Sequence, residues 1–295
     1  MQPAATSQDL RVIERFSEIA GAYDVVLCDV WGVIHNGRDS FPAACEALIR
    51  FREKCGPVVL ISNSPRPSKD VTHQLRALGV PDEAWSGFVT SGDVTREALM
   101  ARAPGPAWGV GPARDGPLYE GTGIELCETP QEAAFISCTG PFDDEKDTPD
   151  DYRDRFAVCL ERGLEMICAN PDRMVQRGDK LIYCAGALAD LYQEMGGKVT
   201  MAGKPFAPIY ESALSGASAL LGRPLDLGRV LAIGDGVPTD VLGANIQGLP
   251  VLFVAGGMNG DRFEAPDGTL EPERVRDLLD RASTRAEWVI KELAW

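Results

Sequence analysis

The 295-residue sequence predicts an α/β protein built on parallel sheets, with a second α/β domain inserted into the first. Three observations carry that expectation. Short apolar runs alternate with helix-like segments along most of the chain, as strands joined by helical crossovers do. Two breaks, Ala103–Pro106 with the following GVGPARDGP and then Gly196–Gly197, bracket a segment with its own strand–helix alternation. Four short polar elements lie outside that segment, and three of them directly follow apolar runs.

The candidate strands are Val25–Cys28, Pro57–Ser62, Gly87–Thr90, Ala107–Val110, Ala134–Ser137, Met166–Ala169, Arg229–Ile233 and Pro250–Val254. Helical patterns lie between them at Phe41–Lys54, Lys69–Leu78, Asp151–Arg162, Ala187–Met195, Ala207–Leu221 and Asp240–Gln247. The breaks place one domain in two parts, residues 1–97 and 199–295, around an insert at 98–198. Gly256 to Gly268 reads as a surface loop, Glu271–Ala282 as a closing helix and Ala286–Ile290 as a short edge strand.

Composition narrows the function classes. With 29 basic against 44 acidic residues the chain carries a net charge of −15, which argues against nucleic acid or an anionic membrane as partner. The eight cysteines form no C-x-x-C pair and there are two histidines, so a zinc cluster is not expected and the thiols read as structural. The N-terminal stretch lacks a basic segment followed by an apolar core, and no apolar run reaches the roughly 20 residues of a membrane span. A soluble, cytoplasmic protein is expected.

The four elements carry the chemistry. Val25–Cys28 delivers Asp29 to the carboxyl end of a strand, where open α/β sheets hold their ligands, and Gly32 lets the chain turn away. Asp29 is therefore a nucleophile candidate. Ser62 and Asn63 end the second strand, Gly203-Lys204-Pro205 opens a helix, and Gly234-Asp235-Gly236 with Thr239-Asp240 follows the run VLAI. Each alone is weak, but their order and placement fit phosphoryl transfer. Asp29 and Asp235 side by side would repel unless a divalent cation neutralised them, and Mg²⁺ favours a few carboxylates plus water and phosphate oxygens. The Ser62 hydroxyl and nearby amides suit phosphate oxygens, Lys204 would stabilise the charge of the transition state, and Asp240 would hold a metal-bound water or orient Lys204.

Taken together, Asp29-x-Trp31-Gly32, Ser62-Asn63, Gly203-Lys204-Pro205 and Gly234-Asp235-x-x-x-Thr239-Asp240 resemble the haloacid dehalogenase superfamily of aspartyl phosphotransferases. The inserted segment resembles the large α/β cap of its class IIA, the sugar, nitrophenyl and pyridoxal phosphatase-like group, through Asn170-Pro171-Asp172 and Gly186-Ala187-Leu188. The resemblance covers Tyr23 to Val254. It implies a Rossmann-like parallel-sheet core with an inserted cap, Mg²⁺ as cofactor, and an aspartyl-phosphate intermediate on Asp29. It further implies metal ligation by Asp29, Asp235, Asp240 and the backbone carbonyl of Trp31. Caps of this kind take part in dimer contacts, so a homodimer is an expectation. Candidate substrate-binding positions are Trp31, Gly32, Ser62, Asn63, Asn170 and Asp172, and the substrate class is a small phosphorylated metabolite.

One position departs from that pattern. Two residues after the nucleophile the family carries Asp, the general acid for the leaving group and then the base for water; here it is Trp31, whose indole N–H only donates. Phosphate and metal binding should survive, while proton transfer loses about 10²–10⁴-fold. Alkyl phosphates should suffer most, and esters with good leaving groups least. His35 follows in the same loop and is the candidate replacement, against the reading of a loop-packing histidine. Asp172 and Asp190 are weaker candidates. A protein that keeps the pocket for binding or regulation is the alternative to an enzyme.

Overall fold

A computed structural model describes residues 10–177, 180–257 and 260–295. The first strands are β1 (Arg11–Val12), β2 (Val25–Cys28), β3 (Val58–Ser62) and β4 (Gly87–Thr90). Next come β5 (Ala107–Val110), β6 (Leu126–Cys127), β7 (Phe135–Cys138) and β8 (Glu165–Cys168). A hairpin supplies β9 (Met174–Arg177) and β10 (Lys180–Tyr183). The rest are β11 (Lys198–Met201), β12 (Val230–Gly234), β13 (Val251–Val254) and β14 (Trp288–Ile290).

Seven strands form one sheet in the order β1-β14-β13-β12-β2-β3-β4, parallel from β1 through β3. Strands β2, β3, β12 and β13 are buried along their whole length. Parallel strands covered on both faces read as continuous apolar runs, which is why VVLC, VVLIS and VLAIG show no alternation. The chain winds from β2 through β3 to β4 on one side, then adds β12, β13 and β14 on the other. The reversal falls between β2 and β12, where Cys28 sits opposite Ile233. Ligand crevices of open sheets form at such a switch point, outside the carboxyl ends of the strands.

A second sheet runs β11-β8-β7-β5-β6, parallel throughout. Its core packs Trp108, Tyr152, Phe156, Tyr192 and Met166 between that sheet and the helices Arg153–Glu161 and Ala185–Glu194. The chain divides into two compact units. One comprises the chain up to Ser62, Gln74–Phe88 and Tyr210–Trp295; the other comprises Asn63–His73 and Val89–Ile209. The insert expected at 98–198 lies within the second unit, which also takes in 63–73, 89–97 and 199–209. The fold class is α/β, a Rossmann-like core with a cap.

Several elements differ from expectation for local reasons. The expected edge strand at 286–290 is Trp288–Ile290, and the two-residue β1 pairs with it, so it is covered on both sides. Strand β11 follows the Gly196–Gly197 break, and in the hairpin β9–β10 two short apolar runs are separated by the polar run QRGDK. The expected surface loop 256–268 buries Phe263 against Phe253. Residues 237–241 are a π-helical turn before the helix Leu242–Gln247, where the sequence pattern suggests continuous helix from Asp240. No described helix is long and apolar enough to cross a membrane. None of the eight cysteines forms a disulfide, and six of them are buried.

Candidate active site

In the first unit, Asp29 continues the β2 ladder: its N–H donates to the Ile233 carbonyl of β12 at 2.8 Å. Asp235 leaves the end of β12, and Asp240 returns to the same place through the π-helical turn. One carboxylate oxygen from each of Asp29, Asp235 and Asp240 lies within 4.8 Å of the others, and all three residues are buried. Three buried carboxylates converging in this way are unfavourable on their own. Hard oxygen donors at this spacing fit a hard divalent cation.

The surroundings hold these carboxylates in place. A Cβ on Gly32, whose φ is +86°, would sit 2.1 Å from an Asp235 carboxylate oxygen, and one on Gly257 would sit at the same distance. Only glycine backbone fits on both sides. Asp240 is held by its own turn: Gly236 N–H donates to its Oδ2 at 3.0 Å, and its N–H donates to the Gly236 carbonyl at 2.8 Å. Gly234 makes room, because a Cβ there would overlap the Asp240 side chain at 2.3 Å. Ser62 ends β3, buried.

Residue 31 sits in a loop shaped around its indole. The Gly32 N–H donates to the His35 carbonyl at 2.8 Å, and Trp31 and His35 form an isolated bridge. Gly37 has φ +85°, and a Cβ on it would strike the indole at 2.2 Å. The His35 ring meets the indole edge-on, with centroids 5.2 Å apart. His35 is buried, its Nδ1 accepts from the Gly37 N–H at 2.8 Å, and burial holds its pKa down to about 4.

The second unit gathers the other candidates around one carboxamide. Asn63 Nδ2 donates to Asp172 Oδ1 at 2.8 Å and to the Lys204 carbonyl at 3.1 Å, while its Oδ1 accepts from the Lys204 N–H at 2.7 Å. Asn170 Oδ1 accepts from the Asp172 N–H at 3.0 Å. The Asp172 carbonyl accepts from Gly186 N–H at 3.0 Å, and a Cβ on Gly186 would meet the Pro171 carbonyl at 2.2 Å. Lys204 is buried, and Gly203 before it is wedged among Ser91 Oγ, Asn63 Oδ1 and Pro171 Cδ. Asp190 is paired with Arg173.

A haloacid dehalogenase-like hydrolase model matches residues 26–125, and a HAD-hydrolase-like model matches 201–282. The chain belongs to the haloacid dehalogenase-like hydrolase family. It is similar to a solved haloacid dehalogenase-like hydrolase from Brucella suis 1330, with 43% identity, a TM-score of 0.84, and coverage of 96% of this chain and 100% of that one. It is 27% identical to the ribonucleotide monophosphatase NagD of Escherichia coli K12 over 79% of this chain and 88% of that protein. It is 24% identical to the 5'-nucleotidase YutF of Bacillus subtilis 168 over 90% and 98%.

Within this haloacid dehalogenase-like hydrolase His35, the candidate replacement acid or base, is buried edge-on against the Trp31 indole. A neutral imidazole whose Nδ1 accepts a hydrogen bond carries its proton on Nε2, and burial keeps it neutral near pH 7. Two glycines that shape the site, Gly257 and Gly37, are not singled out by the sequence pattern. Gly257 had a signal available, since Gly256-Gly257 directly follows a predicted strand. Gly37 had none, because only the folded loop brings it under the indole.

Proposed function

We propose that this hydrolase, a phosphoric monoester hydrolase of the haloacid dehalogenase-like family, cleaves small phosphorylated metabolites through an aspartyl-phosphate on Asp29. The observation that carries the reading is the convergence of buried Asp29, Asp235 and Asp240 at the sheet's switch point. Asp29 attacks phosphorus in line, the ester oxygen leaves with the bonding pair, and water then releases phosphate and regenerates Asp29. Asp29, Asp235, Asp240 and the Trp31 carbonyl would hold Mg²⁺. When bound, the cation offsets the carboxylate charge and draws in phosphate oxygens. The Ser62 hydroxyl and Lys204 hold the phosphoryl group.

The leaving group sets the rate. Trp31 has no titratable side chain and its indole is packed onto Gly37, so the loop supplies no proton to a departing alkoxide. Aryl and acyl phosphates, which leave with little protonation, are the favoured substrates. The names of the relatives support phosphate monoesters of small metabolites as the substrate class.

Purified protein with Mg²⁺ is given p-nitrophenyl phosphate, an acyl phosphate and a nucleoside monophosphate. Turnover of the first two, lost in Asp29→Asn, is the expected result. Saturable binding of phosphate esters without turnover would instead make the chain a phosphometabolite-binding protein, a reading favoured only by the loss of the acid at residue 31.

A further inference from the structure

We infer that Asn63 and Asp172 form a positioning pair that fixes Lys204, rather than contacting substrate. The inference rests on the reading above in one respect, that Lys204 holds the phosphoryl group.

The carboxamide of Asn63 embraces a single residue. Its oxygen takes the Lys204 N–H at 2.7 Å and its nitrogen gives to the Lys204 carbonyl at 3.1 Å, so both backbone groups of Lys204 are held by one side chain. The second Nδ2 proton goes to Asp172 Oδ1 at 2.8 Å. An Asn side chain has two N–H donors, and both are used here. No donor of Asn63 remains for a phosphate oxygen.

Asp172 decides which way the carboxamide points. An ionised carboxylate only accepts, so it admits the amide nitrogen and refuses the oxygen. With Nδ2 drawn to Asp172, Oδ1 must face the Lys204 N–H. Asp172 is itself held at both backbone groups, by Asn170 Oδ1 and by Gly186 N–H. A Cβ on Gly203 would lie 2.4 Å from Asn63 Oδ1 and 2.7 Å from Pro171 Cδ, so there is no room for a side chain. The junction is thus a fixed chain of contacts from Gly186 through Asp172 and Asn63 to Lys204. Its net effect is to place the Cα of a buried lysine, whose ammonium must meet a phosphoryl group within a few tenths of an ångström to be effective. A misplacement of about 1 Å costs on the order of 10²-fold in rate.

The test inverts the polarity of the pair. Asn63→Asp removes both donors and sets two carboxylates against each other. Asp172→Asn keeps an acceptor for Asn63 by rotating its amide. In the double variant the amide introduced at position 172 donates to the carboxylate introduced at position 63, which still accepts from Lys204 N–H. With p-nitrophenyl phosphate and Mg²⁺, the expected loss in kcat is roughly 10²-fold for Asn63→Asp with KM within about threefold, small for Asp172→Asn, and largely recovered in the double variant. In a Lys204→Ala background Asn63→Asp should cost nothing further.

A raised KM, or a loss that adds to that of Lys204→Ala, would overturn the inference and return Asn63 to the substrate. Melting temperatures check folding; if Asn63→Asp does not fold, Asp172→Ala reads the same link with a loss of about 10-fold in kcat. Absence of turnover in the wild type would refute the phosphatase reading, not this one. The affinity for vanadate, a mimic of the five-coordinate transition state, then decides: weakened in Asn63→Asp and restored in the double variant supports the pair, and unchanged affinity overturns it.

Discussion

The residue-31 loop of the first unit and the Asn63 junction of the second solve different problems with similar means. Both surround a chemically loaded residue with glycines that leave no space for a Cβ, Gly32 and Gly37 in one, Gly186 and Gly203 in the other. In the loop, the contacts that hold the indole are apolar: it rests on Gly37 and edge-on against an imidazole that burial keeps neutral. In the junction, contacts are directional: both the nitrogen and the oxygen of the Asn63 carboxamide have partners of defined polarity. The two regions therefore tolerate different changes. Packing accepts a change of chemistry at residue 31, whereas a hydrogen-bonded junction accepts only changes that preserve polarity.

Substitutions that break this contrast should differ widely in size. The largest effect is expected from Asp29→Asn, which leaves both regions folded and removes the nucleophile: kcat for p-nitrophenyl phosphate should fall by on the order of 10⁴-fold or more, with melting temperature nearly unchanged. Next comes Gly257→Ala. Its new Cβ would lie 2.1 Å from the Asp235 carboxylate, which must move, so a loss of roughly 10²-fold in kcat and a higher Mg²⁺ requirement are expected in a metal titration.

Gly37→Ala tests the packing side of the comparison. It places a Cβ 2.2 Å from the indole at φ +85°, and chemical denaturation should report a loss of about 1–3 kcal/mol. The same substitution at an open glycine such as Gly163 should cost less, since no atom lies within 4 Å there and only its φ of +66° matters.

The smallest effect lies away from both regions. Asp24, beside β2, pairs with Arg229 at 2.7 Å and with Arg223, and these guanidinium hydrogen bonds hold its pKa down to about 2. A depressed carboxyl pKa contributes stability that is present above the unfolded value of about 3.9 and lost as pH falls through about 2. Asp24→Asn should therefore cost about 1 kcal/mol or less at pH 7, the pair being near the surface. In denaturation curves the difference from wild type should narrow as pH falls from about 4 toward 2.

Much of this was legible in the sequence. Fully buried parallel strands such as VVLC and VVLIS announce themselves as unbroken apolar runs, and their ends located Asp29, Ser62 and Asp235. The switch point follows from strand order, which sequence does not print, yet the motifs marked both strands that flank it. Other features were hidden for physical reasons. The hydrogen bonds of Asn63 to Asp172 and Lys204 were not legible, because a polar side chain after a strand looks the same whether it faces a ligand or another part of the chain. The difference is a matter of partners some 109 and 141 residues away along the chain. The two-residue β1 is too short to stand out, and the hairpin β9–β10 offers only short apolar runs split by the polar run QRGDK. Trp31 was visible as a departure, but its accommodation by Gly37 needed the folded loop.

The central claim is that the chain keeps the carboxylate site and the lysine while residue 31 offers no proton. The direct measurement is the ratio of kcat/KM for an aryl phosphate to that for an alkyl phosphate, in the wild type and in Trp31→Asp. The account predicts a large ratio in the wild type that shrinks by about 10²–10⁴-fold in Trp31→Asp, through faster alkyl phosphate hydrolysis with little change for the aryl ester. An unchanged ratio, with alkyl phosphate turned over equally well by both proteins, would contradict it.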